Sequence, residues 1–176
     1  YLGNRLPIDR LSHLCHRYGV LLLVDNAHGA YLAFTEPSAH PIHLGADMCC
    51  DSAHKTLPVL TGGAYLHVGK DFGVSENEVR SAMALFASTS PSYLILQSLD
   101  AVNGYLADGY QARLAAFAAQ VQALKERLCA AGFSLLGDEP LKLTLEARPY
   151  GYEGTELAQL LTRHNLFCEF CDRDYL

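Results

Sequence analysis

The sequence predicts an α/β fold, and three observations carry that expectation. A helical stretch with one apolar face ends at a glycine, and a short continuous apolar run follows it. Polar residues able to do chemistry gather at the C-terminal end of that run. The same order, apolar run and then reactive loop, recurs at Met48-Cys49-Cys50 followed by Asp51-Ser52-Ala53-His54-Lys55.

The first helix is expected over Pro7 to Tyr18, with Pro7 suited to its first turn and Ile8, Leu11, Leu14, Cys15 and Tyr18 on one face. Gly19 ends it. Val20–Val24 is continuous rather than alternating, which predicts a strand buried on both faces. Met48–Cys50 and Ala64–Val68 supply two further short strands. Ser75, with Glu78 three residues on, has capping-box spacing for a helix from about Glu76 to Phe86. From Tyr93 apolar residues recur helically through Leu128, in a long region that Gly104 and Gly109 are placed to kink and Gly132 to close. A half-buried strand is expected at Leu141–Leu145, a helix near Thr155–Arg163, and a last strand at Leu166–Phe170. The tail reads as α+β, with a boundary inside the long helical region; the expected division is 1–110 and 111–176.

Composition narrows the function. Half of the 176 residues are hydrophobic and 18% are charged, which supports a packed core and excludes disorder. Lys and Arg number 13 against 19 Asp and Glu, a net charge of −6, and no basic cluster exists to hold nucleic acid. No apolar run approaches the roughly 20 residues of a membrane helix. The six cysteines lie in apolar segments, and with no export signal visible they are expected as reduced thiols in the cytoplasm. Cys168-Glu169-Phe170-Cys171 matches a C-x-x-C pattern by letter only, so neither a redox role nor a metal site is expected there. A start at Tyr1 rather than Met, and an end at Leu176 just after a strand-like run, predict a fragment of a longer protein.

Two motifs carry the chemistry. In Val24-Asp25-Asn26-Ala27-His28-Gly29 a carboxylate and an imidazole stand at a strand's C-terminal end, the edge where α/β sheets bind ligands. Taken alone, Asp25 could equally cap the next turn and His28 be a loop residue. In Ser52-Ala53-His54-Lys55-Thr56-Leu57-Pro58 a lysine lies between His and Thr; by itself it could be an exposed loop lysine. Together they read differently. Lys55 follows Asp25 by 30 residues, both at strand ends, a spacing expected of pyridoxal-phosphate enzymes. There the lysine amine holds the cofactor as a Schiff base, and the carboxylate keeps the ring nitrogen protonated, which improves the ring as an electron sink. Ser52 and His54 are placed to hydrogen-bond the phosphate, His28 to donate to the ring's phenolic oxygen, and Ala27 is small enough for the ring to lie against backbone.

The lysine motif with Leu60-Thr61, the aspartate motif, and Phe86-Ala87-Ser88-Thr89-Ser90-Pro91-Ser92-Tyr93-Leu94 resemble stretches of the Orn/Lys/Arg decarboxylase family. The likeness extends in order over nearly the whole chain. It implies part of an aspartate-aminotransferase-like large domain, a mostly parallel sheet flanked by helices, plus the start of a small α+β domain. It implies pyridoxal 5'-phosphate as cofactor, held by Lys55 with Asp25 at the ring nitrogen and Ser52 and His54 near the phosphate. It implies a basic amino acid (arginine, lysine or ornithine) as substrate, no nucleic-acid or membrane partner, and a homodimer or larger homo-oligomer with Ser88 and Thr89 near a dimer-related site. The family's Gly/Ser/Thr phosphate loop precedes the aspartate strand and is not among the 24 residues before Asp25. The chain is therefore expected to be inactive alone. The α-oxoamine synthases share the Asp-x-Ala-His pattern but usually lack His-Lys-Thr-Leu-Pro, and a non-catalytic, self-associating fragment is the alternative of a different kind.

Overall fold

A computed structural model describes residues 2–86, 88 and 90–176. Thr89, expected near a dimer-related site, and Ala87 lie outside the described residues. The chain divides into two units, Pro7–Leu114 and the pair Tyr1–Leu6 with Ala115–Leu176.

In the first unit, α1 spans Ile8–Arg17, β1 Leu23–Asp25, β2 Met48–Asp51, α2 Ala53–Thr56, β3 Tyr65–Val68, α3 Glu76–Ala84 and α4 Tyr93–Ala107. The strands form one sheet in the order β1-β2-β3. β1 and β2 are parallel, whereas β3 returns antiparallel with Asp51 opposite Tyr65. The sheet among the described residues is therefore mixed rather than mostly parallel. Gly62 and Gly63 turn the chain so soon after α2 that β3 can only come back alongside β2.

Two expectations need correction here. The run Val20–Val24 is not buried on both faces: β1 is only three residues long, and Leu23 is 62% exposed. β1 is an edge strand among the described residues, so no described strand pairs with its second edge. In α1, Ile8 and Ser12 are the buried positions, while Leu14 and Tyr18 face solvent. The helix rotates toward Ser12 because its hydroxyl donates to the Gly45 carbonyl at 2.7 Å. A Cβ at Gly45 would lie 2.6 Å from that hydroxyl, and Gly45 has φ +97°, so glycine permits both the turn and the approach. Asp47 then ties the helix to the sheet, accepting from the Leu22 amide at 2.7 Å and pairing with His16 Nε2 at 2.9 Å.

The capping box at Ser75 and Glu78 is formed as expected, although α3 ends at Ala84. The long helical region is two helices: α5 runs Tyr110–Ala130, and the break falls at Gly109 (φ +67°), while Gly104 stays inside α4.

In the second unit, β4 (Leu135–Leu136) pairs antiparallel with β5 (Thr144–Leu145), and α6 spans Gly154–Thr162. The strand expected at Leu166–Phe170 is absent, and Leu166 and Phe167 are 56% and 77% exposed. β5 bonds instead to the chain end, with Leu145 and Leu176 exchanging backbone hydrogen bonds at 2.7 and 3.1 Å. Cys168 and Cys171 therefore lie in irregular backbone, and neither is disulfide-bonded. No described helix is long and apolar enough to cross a membrane.

Candidate active site

The parallel pairing of β1 with β2 sets Asp25 opposite Cys50, so both strands finish at one edge of the sheet. The loops leaving that edge are Asn26–Gly29 and Ser52–Lys55, the two motifs that stand out in the sequence. Ser52 starts α2, but its hydroxyl makes no capping bond to the helix. Ala53 is fully buried and Leu57 nearly so, which pins both ends of the short helix and leaves Lys55 between them exposed. His54 is held by Gly63, whose carbonyl accepts from both the His54 amide (3.2 Å) and its Nδ1 (3.0 Å).

Lys55 Nζ lies 3.4 Å from His28 Nε2, which joins the lysine motif to the aspartate motif. Asp25 Oδ1 accepts the Ala27 amide at 3.1 Å and lies 3.8 Å from the Cys50 thiol. Asp25 thus caps the following turn with one oxygen and keeps Oδ2 uncommitted among the described residues. Of the residues singled out in the sequence, Asp25 closes β1, and Ala27, His28, Ser52, His54 and Lys55 fall on the two segments that leave this edge.

The sequence reading missed the group behind it. Asp51, 2% exposed, accepts from Asn26 Nδ2 at 2.6 Å, His40 Nε2 at 3.0 Å and His67 Nε2 at 2.8 Å. Burial by itself would raise this carboxyl, but the three donors outweigh it and hold Asp51 well below the usual carboxylate range. Cys49 lies 3.8 Å from His40 Nε2, and burial together with the Asp51 charge pushes its thiol up to about 12. The one signal available in the sequence was a carboxylate closing an apolar run; its partners come from a loop and from β3 with no periodic signature.

Along β2, Cys49 and Asp51 alternate with Cys50, whose thiol touches Asp25, so the buried network projects from the opposite sheet face. A cavity of about 220 Å³, lined by Phe34, Asp51, Leu57, Tyr65, His67 and Leu106, opens on that second face. It is not the space between Asp25 and Lys55.

Because the folded-state carboxyl of Asp51 is depressed, it contributes stability that is fully present above the ordinary unfolded-chain value of about 4 and is lost as pH falls below it. Asp47 is also lowered and acts in the same window, through the Leu22 amide and His16. Urea-unfolding midpoints should accordingly hold steady against these two groups above about pH 5 and drop below about pH 4. In an Asp51→Asn variant the midpoint should be lower at neutral pH and the acid decline shallower.

Comparison with known proteins places this geometry. Residues 1–128 match the family described as Orn/Lys/Arg decarboxylase, major domain. A Bacillus subtilis protein named "Uncharacterized protein YaaO" is 32% identical over 184 residues, covering 99% of this chain and 38% of its own length. An arginine decarboxylase of Halalkalibacterium halodurans is 33% identical over 178 residues, covering 93% of this chain and 36% of the relative. The chain thus spans little more than a third of the length of these relatives. Among solved structures, a chain in the crystal structure of the SepCysS–SepCysE N-terminal domain complex matches with a TM-score of 0.60 at 14% identity, over 82% of this chain and 40% of that one. At that identity the likeness is one of fold.

Proposed function

This chain belongs to the Orn/Lys/Arg decarboxylase family, and from that premise we propose that the full-length protein decarboxylates a basic amino acid, arginine, lysine or ornithine, with pyridoxal 5'-phosphate. The observation that carries the reading is the meeting of the two motifs at one sheet edge, with Lys55 Nζ 3.4 Å from His28 Nε2.

The donor set fits the cofactor. An exposed carboxylate ends β1 and an exposed primary amine lies on α2, four residues after β2 ends, while Ala27, between Asp25 and His28 in the sequence, presents only a methyl group. Lys55 offers the amine that would hold the cofactor's aldehyde carbon, and Asp25 the negative charge that would keep a proton on the ring nitrogen. When bound, the cofactor supplies the electron sink for the pair left behind as carbon dioxide departs. His28 Nε2 is within reach of Lys55 Nζ and would pass a proton to or from that amine. His54 donates Nδ1–H to the Gly63 carbonyl, so it would donate Nε2–H to phosphate only as a doubly protonated ring. Ser52 keeps its hydroxyl out of the helix cap and offers it to the same group.

This reading assigns the activity to the full-length protein, as a cytoplasmic homodimer or larger homo-oligomer, and not to the present chain alone. The test is product analysis of the full-length protein supplied with each of the three amino acids, beside glycine with an acyl-CoA. Release of carbon dioxide and the matching diamine or agmatine supports the reading. Condensation of glycine with the acyl group, or no product from any basic amino acid, overturns it.

A further inference from the structure

We infer that Asp51 is a positioning residue for this site, acting through Asn26; the inference rests on the reading of Asp25 and Lys55 as cofactor-binding residues. Asp51 is the last residue of β2 and stands four residues before Lys55. Its Oδ1 takes the Asn26 side-chain amide at 2.6 Å, and its Oδ2 takes both histidines. Asn26 is in turn fixed along its backbone: its N–H donates to the Cys50 carbonyl at 2.9 Å, and its own carbonyl accepts from the Gly29 amide at 2.8 Å. A Cβ at Gly29 would stand 2.1 Å from Asn26 Oδ1, so glycine is what leaves the side chain room to reach Asp51. Asp25 precedes Asn26 and Ala27-His28 follow it, and with Asn26 held at three points neither neighbour can swing independently. One buried carboxylate therefore ties the aspartate loop to the strand that delivers the lysine, from the face opposite to the chemistry.

The same side chains, His40, Cys49 and Asp51, have ligand atoms close enough together to raise the question of a metal ion. The hydrogen bonding accounts for the cluster without one. The Ile42 amide donates to His40 Nδ1 at 3.3 Å, so that nitrogen carries the lone pair and the ring proton sits on Nε2, facing Asp51. Nε2 thus donates to Asp51, while burial and the Asp51 charge raise the neighbouring Cys49 thiol. The separations of 3.0 and 2.8 Å from Asp51 Oδ2 to the two imidazoles are hydrogen-bond lengths. Ligands on a tetrahedral ion with bonds of about 2.0 Å would stand about 3.3 Å apart.

The experiment compares full-length wild type with Asn26→Ala, Asp51→Asn and the double variant, each loaded with pyridoxal 5'-phosphate. Three quantities are read: the cofactor dissociation constant, the pH midpoint of the bound cofactor's absorbance, and the apo melting temperature. Asn26→Ala removes the link while leaving Asp51 and both histidines in place, so it tests the inference even if Asp51→Asn fails to fold. The expected result is cofactor binding weakened by about tenfold or more in each single variant, with a shifted absorbance midpoint. The double variant should be no worse than the weaker single, as for two residues acting through one contact. Asn26→Ala with unchanged affinity and unchanged midpoint overturns the inference, whatever its melting temperature, as do losses that add in the double variant. A wild-type protein that binds no cofactor at all fails the functional reading instead, which keeps the two failures apart.

Discussion

Lys55→Ala in the full-length protein is expected to lower turnover by on the order of 10³-fold or more while leaving the fold intact. Lys55 is exposed, so truncating it costs stability within about 0.5 kcal/mol. Within the first unit the other lysine, Lys70, is not placed to replace it, because it follows β3 at the other end of the sheet. Lys55→Arg should not rescue, because a guanidinium stays protonated and cannot serve as the nucleophilic amine. The check is steady-state decarboxylation beside circular dichroism of the same samples. Turnover within about tenfold of wild type, from either variant, would remove Lys55 from the chemistry.

Asp25→Asn is expected to cost turnover on the order of 10²-fold or more, with the lysine attachment retained. The substitution isolates charge from structure. An asparagine oxygen can still accept the Ala27 amide, as Asp25 Oδ1 does at 3.1 Å, so the turn should persist. What disappears is the negative charge that favours a protonated ring nitrogen. The loss should fall mainly on kcat, with KM changed little, because the carboxylate would face the cofactor and not the substrate. A variant that loses substrate affinity at normal kcat would instead make Asp25 a substrate-binding group.

How far the sequence announced this arrangement depends on the range of the interaction involved. Local signals read cleanly. Ser75 with Glu78 gave a capping box that forms, and Gly109 and Gly132 break and close the helices through positive φ. The positions of the two motifs were legible for a related reason: a short apolar run followed at once by Asp or by Ser-x-His-Lys marks a strand end without any knowledge of partners. Burial was not legible, because it depends on neighbours that a run of letters does not contain. Val20 to Leu23 has the composition of a central strand, yet it lies at an edge with Leu23 exposed. Leu166–Phe170 has strand composition too, but Tyr175 and Leu176 take the pairing positions beside β5. The Asp51 network was hidden for the same reason, since its four members lie at positions 26, 40, 51 and 67 and meet only through the sheet.

The pairing of two loops at one sheet edge also explains a division of labour between the faces of β2. Cys50 shares the exposed face with Asp25. Asp51 occupies the other face, where burial and three donors give it rigidity. Alternation along a single strand thus puts the exposed face of the candidate site and the buried Asp51 network one residue apart.

The most direct test of the account is reductive trapping in the full-length protein. The protein is loaded with pyridoxal 5'-phosphate, treated with borohydride, digested, and its peptides are mapped by mass spectrometry. The account predicts a stable cofactor adduct on the peptide containing Ser52-Ala53-His54-Lys55, at Lys55 in near-stoichiometric yield. An adduct at Lys70, Lys125, Lys142 or a lysine outside this chain, with Lys55 unmodified, would contradict it.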